Sequence, residues 1–431
     1  MTPGARVSAA IEVLADIEAR KRPAAEALKD WGTSHRFAGS GDRAAIGNLV
    51  FDALRTRASS AYGMGEDSPR AVVLRTLVTS WQMMPEQVVA LADASRHAPE
   101  PLSEVELAGL GRELPVDAPA HVKGDYPEWL ASEFERAFGI YAAEEGAALA
   151  KRAPIDLRVN TLKAPRDKVL KALRRFDAQP TSHSPIGVRI LQGPGPARSP
   201  HIEAEPGHGK GWYEVQDEGS QVATLLSGVK PKDQIIDLCA GAGGKTLGLA
   251  ALMRNTGQLY AYDADRLRLR PIFERLKRAG VRNAQVLPAG DASALAKLKG
   301  KMDLVLIDAP CTGSGVWRRR PDAKWRLSPQ MLEARIAEQQ AVLEEAAALV
   351  KAGGRLAYIT CSVLPRENRD QVAAFLGRHP EFKLVPWRKL WEQALDTPAP
   401  ASADGSEDTL LMTPLSHGTD GFFVALMQRQ A

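Results

Sequence analysis

The stretch Gln234-Ile235-Ile236-Asp237-Leu238-Cys239-Ala240-Gly241-Ala242-Gly243-Gly244-Lys245-Thr246 runs from a short apolar segment through a glycine-rich turn into a helix-like segment. This is the pattern of a buried strand feeding a tight turn whose small residues let backbone amides approach a ligand. Gly-Lys-Thr invites a phosphate-loop reading, but that pattern needs glycine five positions before Gly244, where Cys239 stands. A dinucleotide fingerprint also fails, because Thr246 takes the place of its last glycine.

Working outward, Gln258 to Tyr262, Ala284 to Leu287, Met302 to Ile307 and Arg355 to Ile359 read as further strands, with helical segments between most of them. This alternation predicts a doubly wound α/β domain with a mostly parallel sheet covered on both faces, over residues 212–431. Within it, Pro271 makes the helix pattern from Asp265 to Ala279 kink or start late. Ser328 and Pro329 open a long helix that Gly353-Gly354 should close. Residues 1–122 read as a helical bundle, with apolar positions Val7, Ala10, Ile11, Leu14 and Ile17 at helical spacing. Residues 123–211 read as a small α+β unit with strands at Ile155–Val159 and 188–191.

The chain has 431 residues, 44% of them apolar and 25% charged, so it can bury more than one core. A formal charge of +4 does not by itself announce a polyanion partner. Three cysteines exclude a disulfide framework and fit a reducing compartment, and no apolar run approaches the ~20 residues of a membrane span. The expectation is a cytoplasmic, monomeric enzyme without a metal or a membrane partner.

Acids recur at the carboxyl ends of the expected strands. Asp263 could accept the ribose hydroxyls of an adenosine ligand, and Asp291 could bind the exocyclic amine of adenine. Each could equally cap a helix. Cys311, in Asp308-Ala309-Pro310-Cys311-Thr312-Gly313-Ser314-Gly315, and Cys361, in Thr360-Cys361-Ser362, lie at the ends of two further strands. A buried inert thiol is the usual fate of one cysteine, but two at one sheet edge suggest covalent catalysis. Such a pair suits methylation at carbon 5 of cytosine, where a thiolate adding to carbon 6 makes carbon 5 nucleophilic. Asp308 could then hold the cytosine N3 and amino edge.

Taken together, the runs at 237–246, 308–315 and 360–362 resemble the Nop/Sun family of RNA cytosine-5 methyltransferases. Val215 to Gln221, Asp420-Gly421-Phe422-Phe423 and Leu157-Arg158-Val159-Asn160-Thr161 extend the resemblance over about residues 125–431. It implies a Rossmann-like domain that uses S-adenosylmethionine, with the cofactor lined by Cys239, Ala240, Gly241, Ala242, Gly243, Gly244, Lys245, Asp263, Asp291 and Asp308. It further implies that Cys361 is the nucleophile and that Cys311 assists product release. DNA cytosine methyltransferases attack from the Pro-Cys cysteine instead, which would leave Cys361 without a role. Gly41 to Ile46 and Val50 to Arg55 are similar to the NusB-like domain of the bacterial RsmB type, which implies small-subunit ribosomal RNA as substrate. Arg366 departs from the family, which more often has an acid there. Transfer RNA methylation and a non-catalytic RNA-binding assembly factor are the other readings.

Arg318, Arg319, Arg320, Lys324 and Arg326, with Trp317 and Trp325 between them, follow the Cys311 loop and are expected to contact RNA. Arg152, Arg158 and Lys163 are expected to extend that track from the small α+β unit. The competing reading is a solvated basic loop whose tryptophans serve packing.

Overall fold

The computed structural model describes residues 1–431, which divide into two compact units. One comprises Met1–Ala153 with Gln192–Pro200 and Val316–Leu327; the other comprises Pro154–Leu191, His201–Gly315 and Ser328–Ala431.

The first unit is helical. Thr2, Ser68 and Ser103 cap the helices Pro3–Arg20, Pro69–Thr79 and Glu104–Leu110 by accepting the backbone amide three residues on. The apolar stripes of Pro3–Arg20, Ser40–Arg55 and Pro69–Thr79 meet in a core that includes Leu14, Ile46, Leu49, Val73 and Leu74. The unit runs past the expected boundary at 122, because Ala131–Phe138 and Ala142–Leu149 pack back onto it. Tyr126 stacks on Phe134 at 4.0 Å, and Gly146 lets its helix approach the Gly124 backbone and the Tyr126 ring.

The second unit holds two sheets. The smaller is antiparallel, with strands β1 (Ile155–Val159), β2 (Gln179–Pro180), β3 (Gly187–Ile190) and β4 (Tyr213–Val215) in the order β2-β3-β1-β4. Strand β4 lies beyond the expected boundary at 211, since Leu157 pairs with Val215 and Val159 with Tyr213. The larger sheet contains β5 (Gln234–Asp237), β6 (Gln258–Ala261), β7 (Ala284–Val286), β8 (Met302–Asp308), β9 (Val350–Thr360), β10 (Phe382–Val385), β11 (Leu410–Met412) and β12 (Phe422–Arg429). Their order is β10-β12-β9-β8-β5-β6-β7, with β11 on β12.

Strands β5 to β9 pair in parallel, and β12 joins antiparallel to β9. After β7 the chain returns to the other side of β5 and forms β8. The order therefore reverses between β5 and β8, and ligands of open parallel sheets bind outside the carboxyl ends of such strands.

Two local expectations need adjustment. Ser328 accepts from the Met331 amide as expected, but the helix ends at Leu349 rather than at Gly353-Gly354. Val350 already belongs to β9, and the positive φ of Gly353 (73°) falls in a register irregularity of that strand. Pro271 separates Arg266–Leu269 from Ile272–Ala279, the late start its ring imposes.

Candidate active site

Asp237 ends β5, and the turn that follows is shaped by glycine. Gly243 sits at φ +86° as N-cap of the helix Gly244–Leu252, where a Cβ would come within 2.6 Å of Ile272. The Gly241 amide donates to Asp263 Oδ2 at 2.9 Å, tying the turn to the end of β6. Arg158 reaches up from β1 and donates to Gly244 O (2.6 Å) and Gln216 Oε1 (2.5 Å). It is fully buried, and burial lowers its pKa to about 10. Arg158 thus braces the turn from below and presents nothing to a phosphate backbone, which corrects its assignment to an RNA track.

Acids surround this turn. Asp237 is buried; its Oδ2 accepts from Thr246 Oγ1 at 2.6 Å while Oδ1 has no partner. Burial, opposed by the Thr246 hydrogen bond, pushes its pKa up to about 7. Asp308, at the end of β8, pairs with the buried Lys245 at 2.8 Å and keeps 38% of its side chain exposed. Asp291 is half-buried and caps Ala292–Ala296 through its Oδ1, the cap its position allowed. The Cys239 thiol is half-buried in the turn, and desolvation raises its pKa.

The donor set suits an amino-acid-bearing nucleoside. Asp237 Oδ1 and Asp308 offer acceptors to an ammonium, and the amino end of Gly244–Leu252 favours a carboxylate. Asp263, although buried, has a second lone pair on each oxygen for ribose hydroxyls.

The two cysteines end neighbouring strands, and their Sγ atoms lie 3.4 Å apart. The hydrogen bond shared with Cys361, and burial, hold the Cys311 thiol well above its usual pKa. Both loops are fixed by a carboxylate that the motifs had not singled out. Glu367, fully buried, accepts from Thr312 N (2.8 Å), Thr312 Oγ1 (2.6 Å), Ser362 Oγ (2.5 Å) and Gln339 Nε2 (3.1 Å). It therefore grips the residue after each cysteine. Gln339 also donates to Pro310 O, and Ser314 Oγ lies 2.9 Å from Ser362 Oγ. Beneath them Gly315 N donates to Cys361 O, and Gly421 N to Gly315 O. A Cβ on Gly315 would lie 2.2 Å from Gly421 O, so glycine is needed where these backbones cross. Glu367 follows Arg366 in a stretch with no spacing that ties it to either cysteine; only folding brings it under both loops.

The basic segment after the Cys311 loop lies in the helical unit, where its tryptophans serve packing. Trp317 is buried and stacks 6.0 Å from Phe134, and Trp325 Nε1 donates to Leu54 O. Arg318 is buried, and Lys324 Nζ donates to Arg55 O at 3.0 Å. Arg326 pairs with Asp322 and Arg319 is half-buried, so Arg320 is left as the exposed member. The expected RNA track is thus largely a packing segment.

Sheet order, switch-point turn and paired strand ends define a Rossmann-like methyltransferase. The profile of the 16S rRNA methyltransferase RsmB/F family matches residues 223–428, and that of its ferredoxin-like domain matches residues 126–196. The probable ribosomal RNA small subunit methyltransferase B of Synechocystis sp. is 33% identical over 310 residues, covering 70% of this chain and 67% of that protein. The ribosomal RNA small subunit methyltransferase B of Photorhabdus laumondii is 34% identical over 262 residues, 60% of this chain and 59% of its own. The crystal structure of a methyltransferase homolog from Pyrococcus horikoshii superposes with a TM-score of 0.58 at 27% identity, covering 72% of this chain and 97% of that one. The chain belongs to the RsmB/F family of ribosomal RNA methyltransferases. It spans about two thirds or less of the length of these two bacterial relatives. No helix is long and apolar enough to cross a membrane.

Proposed function

We propose that this chain methylates carbon 5 of a cytosine in small-subunit ribosomal RNA, with S-adenosylmethionine as donor and a covalent cysteine–carbon 6 adduct as intermediate. The observation that carries this reading is the pair of thiols 3.4 Å apart beside the switch point of the sheet. One thiol suffices for a nucleophile; a second at contact distance suits a reaction with separate attack and release steps.

In this reading the turn 239–245, Asp237, Asp263 and Asp308 hold the donor, which supplies an electrophilic methyl group. Cys361 adds to carbon 6 of cytosine, and Asp308 accepts from the ring's amino group. Once carbon 5 carries the methyl group, its proton must leave before the sulfur–carbon 6 bond can break. Cys311 stands beside the Cys361 sulfur to assist that release. Glu367 keeps both sulfurs in register. The relatives' names support ribosomal RNA as the substrate class.

Bisulfite sequencing of ribosomal and transfer RNA from cells with and without the gene tests this reading. It predicts loss of one 5-methylcytosine in small-subunit ribosomal RNA. An unchanged ribosomal map with a lost transfer RNA signal would overturn the substrate assignment.

A further inference from the structure

The expected RNA track is spent on packing, yet the chain carries a second and denser run of positive charge. From Arg266 to Arg282 there are seven basic residues, Arg266, Arg268, Arg270, Arg275, Lys277, Arg278 and Arg282, against one acid, Glu274. Arg275 and Arg278 turn inward and pair with the buried Glu214 of β4 at 2.9 and 2.6 Å, fastening these helices to the small sheet. Arg266, Arg268, Arg270, Lys277 and Arg282 are exposed and pair with no carboxylate. Two large apolar side chains stand among them in water, Leu267 (78% exposed) and Phe273 (60%).

The small sheet continues this surface. Asn160 Nδ2 donates to Ala279 O at 2.8 Å, and the exposed Lys163 lies against Gly280. Beyond it Trp212 is flanked by two exposed ammonium groups, Lys168 at 4.1 Å and Lys210 at 5.1 Å from the ring. The result is one face of unpaired cations interrupted by Phe273 and Leu267. The first helix of the run follows directly from the carboxyl end of β6, two strands from β8, or roughly 10 Å at the usual strand spacing.

We propose that this face, Lys163, Lys168, Lys210, Arg266, Arg270, Lys277 and Arg282, is the phosphate-binding track for the RNA substrate, with Phe273 receiving an unpaired base. Unpaired cations in this density match a polyanion, and exposed rings among them match single-stranded or looped RNA. An acidic protein surface is the competing partner, but exposed Phe273 among arginines suits base stacking better. The proposal rests on RNA being the substrate, as argued above.

The test is filter binding of an unmodified small-subunit ribosomal RNA transcript between about 50 and 200 mM salt. It compares the full chain with Arg266→Glu/Arg270→Glu/Lys277→Glu/Arg282→Glu and with the neutralising glutamine version of the same four sites. Arg268 is left intact because it lies beside Gly241 of the donor turn. A control reverses Lys297, Lys299, Lys301 and Lys383, exposed basic residues elsewhere on the unit. The expected result is at least about tenfold weaker binding for the reversed variant. Its log–log salt slope should be shallower by about 3, at some 0.7–0.9 per lost phosphate contact. The glutamine version should fall between, with thermal stability and donor binding unchanged. Equal affinities and slopes in all proteins, or an equal loss in the control, would overturn the track. So would retained RNA binding together with lost binding to protein-bearing subunit particles, which would assign the face to a protein. If the wild type binds steeply and the variant does not, yet no cytosine is methylated, the surface stands and the methylation reading falls.

Discussion

Glu367 and Cys311 never touch, yet Glu367 fixes where Cys311 stands, because its carboxylate takes both the amide and the hydroxyl of the adjacent Thr312. The same carboxylate takes the hydroxyl of Ser362, next to Cys361. One buried group therefore sets the spacing between two sulfurs that lie fifty residues apart in sequence.

Replacing that carboxylate by its amide tests the arrangement. Glu367→Gln keeps the shape but turns half of the acceptor pair into a donor facing donors. Reacting groups misplaced by about 1 Å can cost on the order of 100-fold in rate, and kcat should fall by that order while KM for RNA changes little. Single-turnover kinetics on folded protein, checked by near-ultraviolet circular dichroism, would show it. A proportional rise in KM with kcat intact would instead make Glu367 a binding residue.

Arg158 gives the opposite pattern. Arg158→Met removes the charged hydrogen bonds under the glycine turn, at about 1.5–3 kcal/mol of folding stability. Donor binding should weaken while the salt slope of RNA binding stays as in the wild type. Calorimetry and filter binding separate the two; a shallower slope would return Arg158 to the RNA track.

In the helical unit, burial lowers the Lys324 pKa to about 8, with Asp125 opposing the shift, and burial raises that of Asp125 to about 6. A lysine lowered from 10.5 is penalised when charged, so its cost is full below about pH 8 and is relieved as pH rises toward 10.5. Asp125, raised from 3.8, favours folding at low pH and loses that contribution as pH climbs to about 6. Lys324→Met alone should destabilise the fold near neutral pH, because it removes the positive charge that favours the ionised Asp125, whose carboxylate is then left with the Ser59 hydrogen bonds. Adding Asp125→Asn should restore most of the loss. Urea unfolding of the single and double variants measures this, and equal losses in both would contradict the coupling.

Asp237 predicts a pH signature of its own. Its folded pKa of about 7 exceeds the ordinary 3.8, so it stabilises the donor-free fold in acid, and that contribution disappears as pH rises between those values. Asp237→Asn should flatten this part of the stability curve. Parallel curves for wild type and variant would show that Asp237 does not titrate there.

The sheet was legible because its strands are short apolar runs ending in glycine, acid or cysteine, a pattern that buried parallel strands impose. The two cysteines were legible as a pair because each follows such a run. Glu367 was not, because a single acid within Leu364-Pro365-Arg366-Glu367-Asn368 carries no periodic or spacing signal, and its four donors come from three separate segments. Arg318 and Lys324 misled for a related reason. A basic run with tryptophans reads as a nucleic-acid loop until it is known that Phe134, Leu54 and Arg55 receive it. The basic run from Arg266 to Arg282 carries no comparable signal in sequence, because it coincides with a helix of the α/β repeat, where charge is the normal dress of an outer face.

The central claim is that the two adjacent thiols divide the work, Cys361 attacking and Cys311 releasing. The most direct measurement is a denaturing gel of each cysteine-to-alanine variant incubated with radiolabelled small-subunit ribosomal RNA and S-adenosylmethionine. The account predicts a covalent protein–RNA band in Cys311→Ala, and neither band nor methyl transfer in Cys361→Ala. A band in Cys361→Ala that vanishes when Cys311 is also replaced would contradict it and reverse the two roles.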